Sequence, residues 1–146
     1  MVAKQAMVTE LVTLKPTDTV DVAARLMIEQ DVAHLPVVND EMQVLGVVTE
    51  VHMVRMLIPS YVDLLDGVGF LPDDFEPFEH SLETAGDVLV TEIMSKEIDS
   101  ADENAPLPSL ASRMLKPGVR RILIVRDGKL IGTVGRRDIL KEILAH

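Results

Sequence analysis

Five apolar side chains, Val20, Ala23, Ala24, Met27 and Ile28, recur at intervals that predict one helix with a single buried stripe. Thr19 precedes it as the predicted N-cap, its hydroxyl placed to accept a bond from an unpaired first-turn amide. The same spacing returns in Leu107, Leu110, Ala111, Met114 and Leu115, with Pro106 at the helix start, where a missing N–H costs little. A short extended piece leads into each helix, Leu11-Val12-Thr13-Leu14 in one case and Glu97-Ile98-Asp99-Ser100-Ala101 in the other.

Apolar runs shorter than a helix follow. Ile122–Val125 and Leu130–Val134 flank Arg126-Asp127-Gly128-Lys129, and Asp-Gly between such runs predicts a hairpin whose turn tolerates positive φ. His34-Leu35-Pro36-Val37-Val38 enters a matching hairpin through Asn39-Asp40-Glu41-Met42-Gln43, one residue longer. A second helix then runs from Glu50 to about Ile58, and again from Arg136 to about Leu144. The unit is β-α-β-β-α, twice. It is too small to bury both faces of its sheet alone, so the copies are expected to pack together with pseudo-twofold symmetry in an α+β fold.

Composition narrows the class. A hydrophobic content of 47% in 146 residues supports one core, or two small halves sharing one. With no cysteine, disulfides, thiolate metal sites and cysteine nucleophiles are excluded. Neither a signal peptide nor an apolar run long enough to span a membrane is evident, so a cytoplasmic protein without membrane association is expected. The net charge of −10 is unevenly spread. Residues 113–146 carry nine Lys/Arg against three Asp/Glu, whereas residues 1–112 carry five against twenty-one. Such a total argues against general nucleic-acid binding, while the basic end suits a small anion or pairs with the acids elsewhere.

Between the copies, residues 59–87 form an insert, leaving 1–58 and 88–146 as the repeats. Residues 57–92 hold nine acids and no Lys or Arg, and Tyr61, Phe70, Phe75 and Phe78 are the chain's only aromatics. Two readings stay open: an acidic, aromatic docking element for a partner, or a long connector whose aromatics tuck beneath the fold.

The β-α-β-β-α order, the His34–Val38 strand and a Gly-hydrophobic-x-Thr-x-x-Asp pattern resemble the cystathionine-β-synthase (CBS) domain, and two tandem copies resemble a CBS pair, or Bateman module. Gly46-Val47-Val48-Thr49-Glu50-Val51-His52 and Gly132-Thr133-Val134-Gly135-Arg136-Arg137-Asp138 carry the pattern. The resemblance implies regulatory binding of AMP, ADP, ATP or S-adenosylmethionine between the repeats, with no required cofactor. It also implies a homodimer through the second helices, at Met53, Val54, Met56 and Leu57 and at Ile139, Leu140, Ile143 and Leu144. In such a site a glycine admits close backbone approach, a hydroxyl at the helix start holds phosphate with the free amides, and the acid accepts from ribose.

Neither copy keeps the full pattern. The first has Thr49 but His52 in the acid's place, and the second has Asp138 but Gly135 in the hydroxyl's place. The fuller implied site comprises Ser100, Ala101, Arg120, Arg121, Ile122, Leu123, Thr133, Val134, Gly135, Arg136, Arg137 and Asp138. Its arginines suit phosphate through paired, charge-assisted bonds, and Gly135 offers a bare amide. The lesser site comprises Thr13, Leu14, His34, Leu35, Pro36, Val47, Val48, Thr49 and His52. His34, His52, His80 and His146 lack metal-ligand spacing, and no nucleotide-binding glycine loop or catalytic constellation is recognisable. The expected function is a non-catalytic adenosine-ligand sensor signalling to a separate effector protein. The alternative is a nucleotide-free interaction module acting through the insert.

Overall fold

The computed structural model of the protein describes residues 1–57 and 85–146. The insert's aromatics, and with them both readings of its role, lie outside the described residues.

The first long helix, α2 (Val20–Gln30), follows a single-turn helix, α1 (Ala3–Ala6). Strands β1 (His34–Val38) and β2 (Val44–Thr49) form the first hairpin, and α3 (Glu50–Leu57) follows without a break. The second half repeats the order: α4 (Val90–Ile93), β3 (Ser100–Asp102), α5 (Leu107–Met114), β4 (Arg121–Arg126), β5 (Lys129–Gly135) and α6 (Arg136–Leu144). The β4–β5 turn is two residues, Asp127 at φ 51° and Gly128 at φ 78°, as Asp-Gly hairpins require. In the first hairpin Asn39 Oδ1 accepts from the amides of Glu41 and Gln43, and Met42 takes the positive φ, at 61°.

The two halves are exchanged at their beginnings. Ala3 of α1 lies in the second half's core with Leu107, Leu110, Met114, Ile122, Ile124, Val134 and Ile139. Val90 of α4 lies in the first half's core with Leu14, Val20, Ala23, Met27, Leu35, Val37 and Val48. Each sheet gains an edge the same way, Val8 bridging Thr133 of β5 and Ser95 bridging Val47 of β2. On the opposite edges, Leu14 bridges Val37 and β3 pairs in parallel with β4. Val38, Val47, Leu123 and Leu130 form a third cluster that joins the two halves, supported by a bond from the Leu130 amide to the Met42 carbonyl.

Two expectations about the long helices are altered. Thr19 occupies the N-cap of α2, yet its hydroxyl makes no capping bond. The amides of Val20 and Asp21 instead donate to the Val88 and Gly86 carbonyls, so backbone where the insert meets the second repeat satisfies the helix start. The Leu107 amide of α5 likewise donates to the Met1 carbonyl. The apolar stripe is also narrower than its spacing predicts. Val20, Ala23 and Met27 are buried, but Ile28 is 82% exposed, and so is its counterpart Leu115 at 86%. Eight residues at 3.6 per turn carry position 28 well away from position 20, off the buried face.

Candidate functional site

The ends of both hairpins and the starts of both second helices open onto one cleft of about 1160 Å³ between the repeats. His34, Pro36, Val47, Thr49 and His52 reach it from the first half, and Arg120, Arg121, Thr133 and Asp138 from the second. Two sites read separately in the sequence therefore face a common space. Other implied residues do not line it. Leu14, Leu35, Val48, Ile122, Leu123 and Val134 are packed in the core, Gly135 is buried, and Ser100, Arg136 and Arg137 are exposed. Thr13 and Ala101 are half-buried away from the lining.

In the second half the motif closes on itself. Asp138 Oδ2 accepts from the Gly135 amide at 2.7 Å and from Arg121 Nη2 at 3.3 Å. Arg121 Nη2 also donates to Thr133 Oγ1 at 2.7 Å, so the guanidinium bridges the last strand and the helix start. A Cβ on Gly135 would stand 2.7 Å from Arg121 Nη1. The amide expected to stand bare is thus capped by Asp138 and roofed by Arg121.

The first half builds the same closure from different atoms. The Thr49 amide donates to His52 Nδ1 at 3.2 Å, and the His52 amide donates to Thr49 Oγ1 at 3.3 Å. This reciprocal pair is a capping arrangement, with a histidine ring where the second half has a carboxylate. An accepting Nδ1 places the proton of the neutral ring on Nε2. Burial, then the Arg55 charge, holds the His52 pKa below its ordinary value. His34 occupies the strand position corresponding to Arg121: in the hairpin registers His34 lies opposite Thr49, and Arg121 opposite Gly135. Burial, then Arg121, push the His34 pKa down, against an opposing pull from Asp99 that exceeds the further lowering by His52. An Arg–Asp pair on one side of the pseudo-twofold is matched by a His–His pair on the other.

Much of the cleft lining went unnoticed in the sequence. Glu10, Leu11 and Val12 come from before Leu14, and Glu97, Ile98 and Asp99 from the corresponding place before β3. Asp31, Val32 and Ala33 precede β1 as Gly118, Val119 and Arg120 precede β4. Carrying the repeat offset past the motifs would have found them, because every one has its counterpart in the wall. Six carboxylates (Glu10, Asp31, Glu50, Glu97, Asp99 and Asp138) and three guanidiniums (Arg55, Arg120 and Arg121) line the space. Part of the basic end is tied up within its own half. Arg126 makes paired bonds to Glu103, which hold that carboxyl below its usual range, and Arg113 donates to the Ser100 carbonyl beside Asp99.

The CBS domain family model matches residues 3–58 and 90–145. The chain belongs to that family and carries the domain twice, as a CBS pair. It is 25% identical over 155 residues to an uncharacterized protein of Methanocaldococcus jannaschii, covering 99% of this chain and 92% of that one. It is also 25% identical to the chloroplastic CBS domain-containing protein CBSX1 of Arabidopsis thaliana, covering 92% of this chain and 60% of that one. Some longer relatives are enzymes: the chain spans 23% of a homoserine O-acetyltransferase of Methanohalobium evestigatum and 23% of an inosine-5′-monophosphate dehydrogenase of M. jannaschii. Among solved structures, the CBS-pair protein CBSX2 from A. thaliana superposes with a TM-score of 0.78 at 23% identity, covering 99% of this chain and 94% of that one. A structure of CBSX2 in complex with AMP superposes at 0.75, again at 23% identity, covering 99% and 96%. No helix among the described residues is long and apolar enough to cross a membrane.

Proposed function

We propose that this CBS pair is a non-catalytic regulatory module that binds one adenosine-type ligand in the cleft between its repeats and passes the bound state to a separate effector protein. The observation that carries this reading is the convergence of both helix starts and both strand starts, with Arg121 and Asp138, on one space large enough for a nucleotide. The CBSX2 complex with AMP supports the ligand class. AMP, ADP, ATP and S-adenosylmethionine share the adenosine, and Arg120 and Arg121 offer paired bonds to the phosphate of the phosphorylated members. Isothermal titration with AMP, ATP and S-adenosylmethionine tests the reading. Heat with at least one ligand is expected, lost in Asp138→Ala and weakened less in Thr49→Ala, whereas no heat with any of them overturns it.

The module is further proposed to work as a homodimer in the cytoplasm. Val51 and Val54 on α3, and Leu140, Ile143 and Leu144 on α6, are exposed, Leu144 by 86%. Met53 and Ile139, expected on the same face, turn into the core instead. A nucleotide-free interaction module is the second reading, because His52 and Asp138 already have partners, Thr49 and Gly135, at the strand ends that lead into their helices. Pull-down by the chain with and without residues 60–86 separates that reading from the first.

A further inference from the structure

We propose that binding of a phosphate-bearing ligand in the cleft is coupled to proton uptake by His34 and His52, which makes the module's ligand affinity increase with acidity. The inference rests on the nucleotide reading and deepens it.

With both rings neutral, the fixed charges around the cleft do not suit a phosphate. The segment before β3 contributes Glu97 and Asp99, the N-terminal segment Glu10, and the end of α2 Asp31. Helix α3 adds Glu50 and Arg55, α6 adds Asp138, and the β4 start adds Arg120 and Arg121. Carboxylates outnumber guanidiniums by six to three, and Arg121 is partly committed to Asp138. A dianion entering this space needs more positive charge than the arginines supply. The two imidazoles are the lining groups able to provide it near neutral pH.

Their placement fits the task. His34 stands where Arg121 stands in the other half, and both lie within electrostatic reach of each other. His52 caps the Thr49 amide through an unprotonated Nδ1. Taking a proton there removes the acceptor and frees that amide, while both ring nitrogens become donors. A cationic ring at a helix start is unfavourable against the helix dipole, but an anion seated beside it reverses the balance. Burial holds both ring pKa values below the ordinary histidine value in the free protein, and a phosphate raises their proton affinity. Between the free and bound pKa values, binding takes up protons. Affinity therefore climbs by up to about tenfold per pH unit for each proton as pH falls, and levels off once the free protein is protonated.

AMP titrated calorimetrically from pH 8 to pH 6, in buffers of different ionisation heat, tests the coupling. Because the AMP phosphate itself titrates near pH 6, the wild type is compared with His34→Gln, His52→Gln and the double variant. We expect wild-type affinity to rise about tenfold or more with net proton uptake, and the double variant to lose both. His34→Arg combined with His52→Gln is expected to bind with little pH dependence. Should His34→Gln not fold, imidazole NMR titration of the wild type decides the same question, with both ring pKa values raised by AMP. Binding with unchanged ring pKa values, with the full rise retained in the double variant, or with affinity that grows as pH rises overturns the coupling alone. No AMP binding at any pH overturns the nucleotide reading and this inference with it.

Discussion

Gly46 and Gly132 lack a side chain because the exchanged segment of the other repeat passes where a Cβ would be. A Cβ on Gly46 would stand 2.5 Å from Met94 Sδ and 2.8 Å from the Ser95 carbonyl oxygen, and one on Gly132 would meet Met7 Sδ at 2.7 Å and the Val8 oxygen at 3.0 Å. The thioethers can swing away, but the carbonyls belong to the bridges that complete each sheet. Gly46→Ala is therefore expected to cost about 1–3 kcal/mol, read as a lower urea midpoint; an unchanged midpoint contradicts the close approach. Gly135 differs, since its nearest neighbour is the tip of Arg121. At this scale the sequence was partly legible. The repeated motif led to Thr49, His52 and Asp138, all of which reach the cleft. Its intramolecular closure did not show, because a three-residue spacing that suits a ligand also suits a side chain capping its own helix.

Among elements, α1 and α4 do most to tie the halves together and were hardest to foresee. Four residues give no helical period to detect. Their role appears only when the repeat correspondence is carried to residues 1–8 and 88–95. The hairpins and second helices, by contrast, were plain from Asp-Gly, from the short apolar runs that flank each turn and from the repetition of the whole unit. Thr19 looked like a side-chain cap because local sequence cannot announce that a distant carbonyl will reach the amide first. Thr19→Ala should accordingly change stability by less than about 0.5 kcal/mol, where a working threonine cap is worth about 1 kcal/mol. Val90→Ala, which empties space in a core built mostly by the other repeat, should cost about 2 kcal/mol. Equilibrium denaturation of the two variants side by side measures both, and the reverse ranking would contradict the exchange.

For the whole molecule, the exposed apolar residues of α3 and α6 lie on helices that begin at the cleft. Burying them against a second copy removes that surface from water and couples the partner's position to whatever occupies the cleft. Sedimentation velocity is expected to show a dimer that Leu140→Glu with Ile143→Glu converts to a monomer of unchanged helical content. A wild type that sediments as a monomer at micromolar concentration contradicts the dimer. Charge at this scale was only half legible: three of the nine basic residues at that end, Arg113, Arg121 and Arg126, pair with acids nearby in space, while acids from both halves gather around the cleft.

The exchange of α1 and α4 also fixes an order of events on the ribosome. Residues 1–57 can form α2, the β1–β2 hairpin and α3 as soon as they emerge, but their core lacks Val90 and their sheet lacks Ser95. Meanwhile Ala3 and Val8 have nothing to dock against until α5 and β5 have been made. A protein whose domains would ordinarily fold one after another during synthesis must here hold its first half unfinished until residues 90–95 have been made, and α1 undocked until the second repeat has followed.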